Sequence, residues 1–233
     1  MPSRAELVEF QQAQVGLVQL ASDDLRTFWD GLDVGNGVAT RASLMEFMPA
    51  LTTHYGELAA ALAADWYDDL RSRERLKVTF AAIMADALPA EQIRAQVGYA
   101  TWTHLFTDHP DGTLVRLLDD LGKDVLMPGW DTIVGSTNAD PDAVGWHRET
   151  RPSRSYTSGC GFCQLLAGRG GVYKRSTAPF AAHGSCKCVA YPSWDADAEE
   201  VPVDAYVMSS RYRTGRDHSQ LRSYIEDVER TRF

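Results

Sequence analysis

The residues best suited to do chemistry are four cysteines and one histidine that stand close together in the second half of the chain. They form two short-spaced groups separated by nineteen residues: Cys160 and Cys163, then His183, Cys186 and Cys188. A tetrahedral zinc site needs such an arrangement, because each group approaches the metal from one turn of the chain. The spacing therefore predicts a metal site.

Five candidate ligands compete for the four places of a structural zinc site. The preferred set is Cys160, Cys163, His183 and Cys186, with Cys188 as the substitute, because Cys186 and Cys188 share a face if that stretch is extended. Bound zinc would staple a small module, and its binding free energy would become folding free energy. Two other states stay open, namely disulfides formed in an oxidising medium and reduced thiols packed in a small core.

A catalytic role for this cluster has less support. Catalytic zinc keeps an open coordination place and a carboxylate base nearby, but the sequence has no Asp or Glu between residues 150 and 194. His183 or His147 could activate Cys160 or Cys163 as in thiol proteases. Four clustered cysteines favour coordination instead, because a nucleophile needs only one. Serine–histidine pairs can be drawn, but no Gly-x-Ser-x-Gly elbow accompanies them. No catalytic residue is assigned.

Charge is unevenly distributed along the chain. Residues 148–191 contain seven Lys/Arg against the single acid Glu149, a net charge of +6, and since the whole chain carries −9, the remainder carries −15. A basic module on an acidic body can contact phosphate or an acidic partner. The alternative is that these bases only keep a small module soluble. We predict contacts with DNA phosphates for six of them: Arg148, Arg151, Arg154, Arg169, Lys174 and Arg175.

Composition is that of a globular protein, with 44% hydrophobic and 10% aromatic residues. No run of eighteen apolar residues occurs, so no membrane span is expected. The first residues lack the apolar segment of a signal peptide, so no secretory signal is expected either. We therefore expect synthesis in a cytoplasm. Thiols stay reduced there, which favours metal binding over disulfides.

Residues 4 to about 127 show the apolar periodicity of helices. The strongest stripe runs from Leu44 to Trp66, where Pro49 predicts either a kink or a later start of the helix. Aromatic side chains on these stripes are expected in the core. The other predicted features are a first helix up to a break at Gly31–Gly37, a helix over about 74–87, one from Pro89 through Trp102 and Phe106, and a last helix after the turn at 109–112.

The predicted fold is α+β but mainly α. A helical bundle is expected at residues 1–137, and a Cys/His module with short strands at 138–194. An acidic linker and a C-terminal helix are expected at 195–233. The strands are predicted at Val144–Arg148, Val172–Tyr173 and Val189–Tyr191.

Residues 138–192 resemble the C-terminal module of the MuF-like minor head proteins, which are the phage Mu F protein and its relatives in tailed phages of actinobacteria. The resemblance covers about a quarter of the chain and rests on an ordered set of short motifs. These are Ala139-Asp140-Pro141, Ala143-Val144-Gly145-Trp146, Cys160-Gly-Phe-Cys163, the run from Leu165 to Gly170, Val172-Tyr173, and His183-x-x-Cys186-x-Cys188.

The resemblance implies a minor capsid protein that associates with the portal, acts in head assembly, and takes part in DNA packaging or ejection. Its implied partners are portal, capsid and scaffold proteins, with packaged DNA as a further one, and its implied location is the capsid interior. Related proteins are also labelled capsid maturation proteases, which makes proteolysis of scaffold or capsid protein the main alternative. A zinc-binding DNA regulator is a weaker third interpretation, because no helix rich in Arg, Asn and Gln is evident.

Overall fold

The computed structural model describes residues 1–107, 109–150, 166–168, 172–174 and 188–201. Within them the chain forms four α-helices and one antiparallel pair of strands, which confirms the mainly helical α+β prediction. The elements are α1 (Arg4–Asp30), α2 (Gly37–Ser72), α3 (Ala90–Ala100), a π-helical turn (Thr101–Leu105), α4 (Asp111–Ala139), β1 (Gly145–Glu149) and β2 (Val189–Ser193).

Side-chain caps mark where the first two helices begin. Ser3 and Glu6 form a reciprocal capping box at the start of α1, and Asn36 accepts a hydrogen bond from the backbone N–H of Ala39 at the start of α2. Both helices therefore begin where local sequence satisfies their free N–H groups. The break predicted at Gly31–Gly37 is confirmed. A later start at Pro49 is wrong, because α2 begins at Gly37 and contains this proline in its interior.

Small residues allow α2 and α4 to approach closely at the centre of the bundle. A Cβ atom placed on Gly129 of α4 would lie 2.9 Å from the carbonyl oxygen of Ala59 in α2, and one placed on Gly56 would lie 3.2 Å from Pro128 Cγ. The backbones therefore meet where α2 is rich in alanine. The buried alanines on this part of α2 are Ala59, Ala60, Ala63 and Ala64.

Gly129→Ala is expected to lower the free energy of unfolding by about 1–3 kcal/mol, because the added methyl group would push the two helix backbones apart. Gly135 lies in the same helix but a Cβ there would meet nothing within 4 Å. Gly135→Ala is therefore the matched control and should raise stability by about 0.5–1 kcal/mol through helix propensity. Thermal unfolding of the two variants measures both effects, and equal shifts would contradict the close approach.

Residues 74–87 do not form the predicted helix; they run without regular secondary structure between α2 and α3. Side chains of the neighbouring helices bind the backbone there. Ile83 N donates to Ser136 Oγ at 2.8 Å, and Ala85 N donates to Thr132 Oγ1 at 2.9 Å. Ala82 N likewise donates to Asp68 Oδ1 at 2.8 Å. Tertiary hydrogen bonds thus replace the helical ones, and no local sequence pattern reports them.

The strands β1 and β2 pair antiparallel, with Trp146 opposite Pro192 and Arg148 opposite Ala190. They confirm the strands predicted at Val144–Arg148 and Val189–Tyr191. An isolated bridge links Trp146 to Tyr173, and a second links Val172 to Glu200.

The strand pair packs on α4, and one hydrophobic core includes both parts. Helix α4 also continues to Ala139, across the predicted boundary between residues 137 and 138. The division into three units stays a prediction. In the described residues, the helices and the strands share their buried side chains.

Candidate functional site

Most residues of the predicted metal and DNA sites lie outside the described part of the chain. Of the five metal candidates, Cys188 is described, whereas Cys160, Cys163, His183 and Cys186 are not. Of the six basic candidates, Arg148 and Lys174 are described. The four that lie outside are Arg151, Arg154, Arg169 and Arg175.

Cys188 immediately precedes β2 and is buried, with 1% of its surface exposed. Its carbonyl oxygen accepts a hydrogen bond from Trp130 Nε1 of α4 at 3.0 Å. This bond fixes the backbone at the C-terminal end of the Cys/His segment against the helical bundle. A buried cysteine on a fixed backbone fits a metal-ligand role and equally fits a core residue.

The two described bases differ in their surroundings. Arg148 lies in β1 with only 5% of its surface exposed, which leaves it little surface to offer to DNA phosphates. Lys174 is more accessible, and its Nζ lies 3.5 Å from Glu200 Oε2. The predicted DNA contact therefore depends on Lys174 and on the four arginines outside the described residues.

Two short segments that flank the undescribed stretches are held on β1. The ring of Tyr173 stacks on that of Trp146, with centroids 4.6 Å apart, and the backbones of these two residues exchange hydrogen bonds of 2.8 and 2.9 Å. Tyr173 also donates through its hydroxyl to the carbonyl oxygen of Leu166 at 2.6 Å. Gly145 is required here, because a Cβ on it would lie 2.6 Å from the carbonyl oxygen of Tyr173.

A buried charged cluster that was not predicted from the sequence lies where α2, the end of α4 and the end of β2 meet. Asp140 lies at its centre. Its Oδ2 accepts hydrogen bonds from Tyr67 at 3.0 Å, Arg71 Nε at 2.8 Å and Trp194 Nε1 at 3.1 Å. Its Oδ1 accepts from Arg71 Nη2 at 3.1 Å and from the backbone N–H of Asp142 at 3.0 Å. We call Tyr67, Arg71, Asp140, Asp142 and Trp194 the junction cluster.

Arg71 extends the junction cluster to the segment after α2. Its Nη2 donates to the carbonyl oxygen of Val78 at 2.7 Å and lies 3.3 Å from Asp142 Oδ2, while its Cζ lies 5.6 Å from the ring centroid of Phe80. Asp142 Oδ2 in turn accepts from Val78 N at 3.0 Å. One arginine and two carboxylates thus join the helical bundle, the 74–87 segment and the entry to β1.

Ionisation of Asp140 contributes to stability. Burial by itself would raise the pKa of Asp140, but the hydrogen bonds from Arg71, Trp194, Asp142 and Tyr67 outweigh it and lower the pKa below its usual range. The pKa is lower in the folded state than in the unfolded chain. The resulting stabilisation is therefore present above the unfolded pKa and is lost as pH falls through the folded one.

No spacing rule could have found this cluster, because Arg71 and Asp140 are 69 residues apart. One signal was nevertheless present. Asp140 directly follows a long helix and precedes Pro141. The triplet Ala139-Asp140-Pro141 is among the motifs that carry the resemblance to the minor head proteins. The structure gives a physical reason for an aspartate there, since its carboxylate links three parts of the fold.

Asp124 is a second buried carboxylate, on the face of α4 that packs toward α3. Gln96 Nε2 of α3 lies 3.4 Å from Asp124 Oδ1. Burial is the main cause that raises the pKa of Asp124 to about 6; Asp120 also raises this pKa, while Lys123 and the hydrogen bond from Gln96 lower it. The sequence carried a signal for it, because Asp124 falls between Leu121 and Val125 on the apolar stripe of α4.

Asp124→Asn is expected to stabilise the protein by about 3 kcal/mol at pH 7.5, because the folded state no longer holds a buried charge there. Because the pKa of Asp124 is higher in the folded state than in the unfolded chain, the contribution of Asp124 to wild-type stability falls as pH rises from about 4 to about 6. The gain should thus vanish near pH 4. Urea unfolding at several pH values measures it, with the exposed Asp86→Asn as control; a gain that does not vary with pH would contradict this assignment.

No three His, Cys, Asp or Glu side chains within the described ranges form a group able to hold a metal ion. With four of five candidates outside those ranges, the zinc prediction stays untested. No described helix has the length and apolar character required to cross a membrane.

A sequence family described as VG15 protein matches residues 1–215 of the chain. No curated protein and no solved structure matches it. The matched range includes both the helical bundle and the whole Cys/His segment. The chain therefore belongs to the VG15 protein family, a family of phage proteins.

Proposed function

We propose that this phage protein is a minor capsid protein of the MuF-like type, which associates with the portal and acts in head assembly. The resemblance of residues 138–192 to minor head proteins is the observation that carries the proposal, and the match of residues 1–215 to a phage protein family supports it. A role in DNA packaging or ejection belongs to the same proposal. The protein would reside in the capsid interior after synthesis in the host cytoplasm.

The architecture supports a binding role. Helices α2 and α4 contain 36 and 29 residues, and they form a long platform through their close contact at Gly129. The strand pair is fixed to this platform by Trp130 and by the junction cluster. Such a platform can hold a basic segment at a defined place while its outer surface contacts portal, capsid or scaffold proteins.

We propose that zinc stabilises the Cys/His segment through Cys160, Cys163, His183 and Cys186, with Cys188 as the substitute. Thiolate and imidazole are the donors that structural zinc prefers. Zinc would supply folding free energy to a segment whose described flanks are already fixed on β1 and α4. The proposal thus predicts local unfolding on metal loss while the helical bundle stays folded.

Protein purified under reducing conditions without chelator is expected to contain about one zinc per chain by mass spectrometry. Cys160→Ser should lose the metal and gain protease sensitivity within residues 150–190, because the remaining ligands no longer complete a tetrahedral site. A serine variant of Cys188 is the matched control and should keep the metal if the preferred set is right. Metal-free wild-type protein with a protease-resistant segment would contradict zinc binding.

The DNA contact is tested through its salt dependence. Each phosphate contact releases counterions, so the affinity should fall steeply as salt concentration rises. Lys174→Glu should weaken binding, whereas Arg75→Glu, on an exposed residue of the helical part, should not. A DNA affinity that does not change with salt concentration would contradict the predicted phosphate contacts.

Association with the portal is tested by expressing the chain together with the portal protein of the same phage. Elution of both proteins in one peak on size-exclusion chromatography supports the proposal, and separate elution contradicts it. Scaffold protein added to the same preparation tests the maturation-protease alternative. Cleavage of scaffold that one Ser or Cys substitution abolishes, in a folded variant, would replace the binding role by an enzymatic one.

A further inference from the structure

Three large aromatic side chains lie on the surface at one end of the bundle, where a core location is predicted for Trp102 and Phe106. Trp102 is 78% exposed, Tyr99 62% and Phe106 52%, and Val38 beside them is 76% exposed. Single exposed apolar residues are ordinary, but neighbouring exposed aromatic residues are characteristic of protein interfaces. The core location predicted for Trp102 and Phe106 is therefore wrong, and the exposure of these two side chains requires another explanation.

Trp102 lies in the π-helical turn and is exposed at the surface of the bundle. Thr101 and Leu105 of this turn are buried, and the hydroxyl of Thr101 donates to the carbonyl oxygens of Val97 and Gly98 at 2.8 and 3.1 Å. At about 100° per residue, Trp102 lies more than about 90° around the helix from Ile93 and Val97, so its indole is not on the apolar face that these residues set. Single π-helical turns are rare and are frequently found at functional sites.

A groove of about 320 Å³ lies between the first turns of α2 and Phe106, one of these aromatic residues. Its lining is mostly apolar and consists of Val38, Arg41, Ala42, Met45 and Phe106. A Cβ on Gly37 would lie 2.8 Å from Phe106 Cε1, so this glycine lets the phenyl ring form the groove wall. The volume is at the low end for small-molecule sites, about 300–1,000 Å³, and suits anchoring side chains of a partner.

Arg41 gives the groove a positive charge on a chain whose net charge is −9. Within the described ranges no carboxylate lies within ion-pair distance of Arg41, and its Nη2 lies near Gly98 of α3. The first turn of α2 contains no acidic residue. The positive end of the helix dipole therefore adds to the charge of Arg41. Charge and apolar lining together favour an occupant that is both apolar and acidic.

We propose that this groove docks an acidic amphipathic helix of a partner protein. Apolar side chains of the helix, three or four residues apart, enter the groove and contact Trp102, while one of its carboxylates pairs with Arg41. This inference rests on the proposed binding role and names the surface that performs it. Trp and Arg are the residue types that most often dominate such interfaces.

The probe is a fluorescein-labelled peptide of about fourteen residues, with leucine or phenylalanine at every third or fourth position and flanking glutamates. A second peptide carries lysine in place of each glutamate. Binding to the full chain is followed by fluorescence anisotropy. We expect the glutamate peptide to bind at least about tenfold more tightly than the lysine peptide.

The variants test groove and charge separately. Arg41→Glu and Trp102→Ala should each weaken binding of the glutamate peptide by about tenfold. Ala42→Trp should abolish it by filling the groove. All three replace exposed residues, so thermal unfolding should change little. Arg75→Glu is the matched charge reversal, beyond the opposite end of the 36-residue helix α2, and should leave binding unchanged.

Equal affinity for the two peptides, or no binding of either, would overturn the proposal. A wild-type dimer that Trp102→Ala dissociates would also overturn it, because the occupant would then be a second copy of the chain. Sedimentation velocity distinguishes that case. The peptide-binding and sedimentation experiments do not involve the portal protein. If the chain co-elutes with portal although the groove binds no peptide, the portal contact lies elsewhere on the chain.

Discussion

Asp140→Asn is expected to lower the free energy of unfolding by about 3–5 kcal/mol, because it leaves the Arg71 guanidinium buried without its main counter-charge. Asp140 accepts five hydrogen bonds, and its side chain is fully buried. The amide can still accept some of them, and Asp142 stays 3.3 Å from Arg71, so the lower end of this range is expected. Urea unfolding followed by circular dichroism at pH 7 measures the loss.

Two controls show whether the loss comes from the buried pair. Asp120→Asn removes an exposed ion pair with Arg116 and should cost less than about 1 kcal/mol. The double variant Arg71→Met with Asp140→Leu removes both charges and should cost less than Asp140→Asn alone, because neither member of the buried pair is left without the other. Asp142 is partly exposed and keeps its hydrogen bond from Val78 N. Equal losses in Asp140→Asn and Asp120→Asn would contradict a structural role for the junction cluster.

The pH dependence gives an independent test of the same group. Since its pKa is lowered in the folded state, ionised Asp140 stabilises the wild-type protein above the unfolded pKa of about 4. The stability difference between wild type and Asp140→Asn should be full at pH 7 and shrink as pH falls below about 4. A difference that grows on acidification would show that the cluster holds Asp140 protonated.

Trp130→Ala should lower the free energy of unfolding by about 3–5 kcal/mol, because it opens a cavity at the contact between α4 and β2. Trp130 is 1% exposed. The variant also removes the indole hydrogen bond to the carbonyl oxygen of Cys188. Trp130→Phe keeps most of the ring volume and should cost about 1–3 kcal/mol, because the carbonyl oxygen stays buried without its donor.

Trp102 is the control position for Trp130, because it is also a tryptophan but is exposed, in the π-helical turn that follows α3. Trp102→Ala is expected to change stability by less than about 0.5 kcal/mol. Urea unfolding of the three variants provides the measurement. If the helices and strands unfold together, Trp130→Ala shifts the transitions of both; a shift confined to the strands would instead support the separate module predicted at residues 138–194.

The mainly helical fold was predictable because apolar periodicity reports which face of a helix is buried. The stripe from Leu44 to Trp66 lies in α2, and the strand predicted at Val144–Arg148 is β1, shifted by one residue. The helix expected over 74–87 is absent because side chains from α2 and α4 bind its backbone, and such contacts leave no local pattern. Trp102 faces solvent because it lies roughly 140–180° around the helix from Val97 and Ile93, and it therefore does not share their buried face.

The metal and DNA sites stay predictions, and the junction cluster was not predicted. Cysteine spacing identifies a metal-binding pattern from residue types alone, but it does not choose among Cys186, Cys188 and His183. Charge counting named Arg148 as a DNA contact, although cross-strand packing buries it in β1. The junction cluster was invisible because its members come from distant parts of the chain. Pairing of buried charges is a property of the fold rather than of neighbouring residues.

The most direct test of the proposed function is quantitative mass spectrometry of purified virions of the phage that encodes this chain. A minor capsid protein is expected in the particles at a copy number far below that of the major capsid protein, and it should remain after DNA-free heads are washed in high salt. A chain that is abundant in infected cells but missing from purified virions and heads would contradict the account.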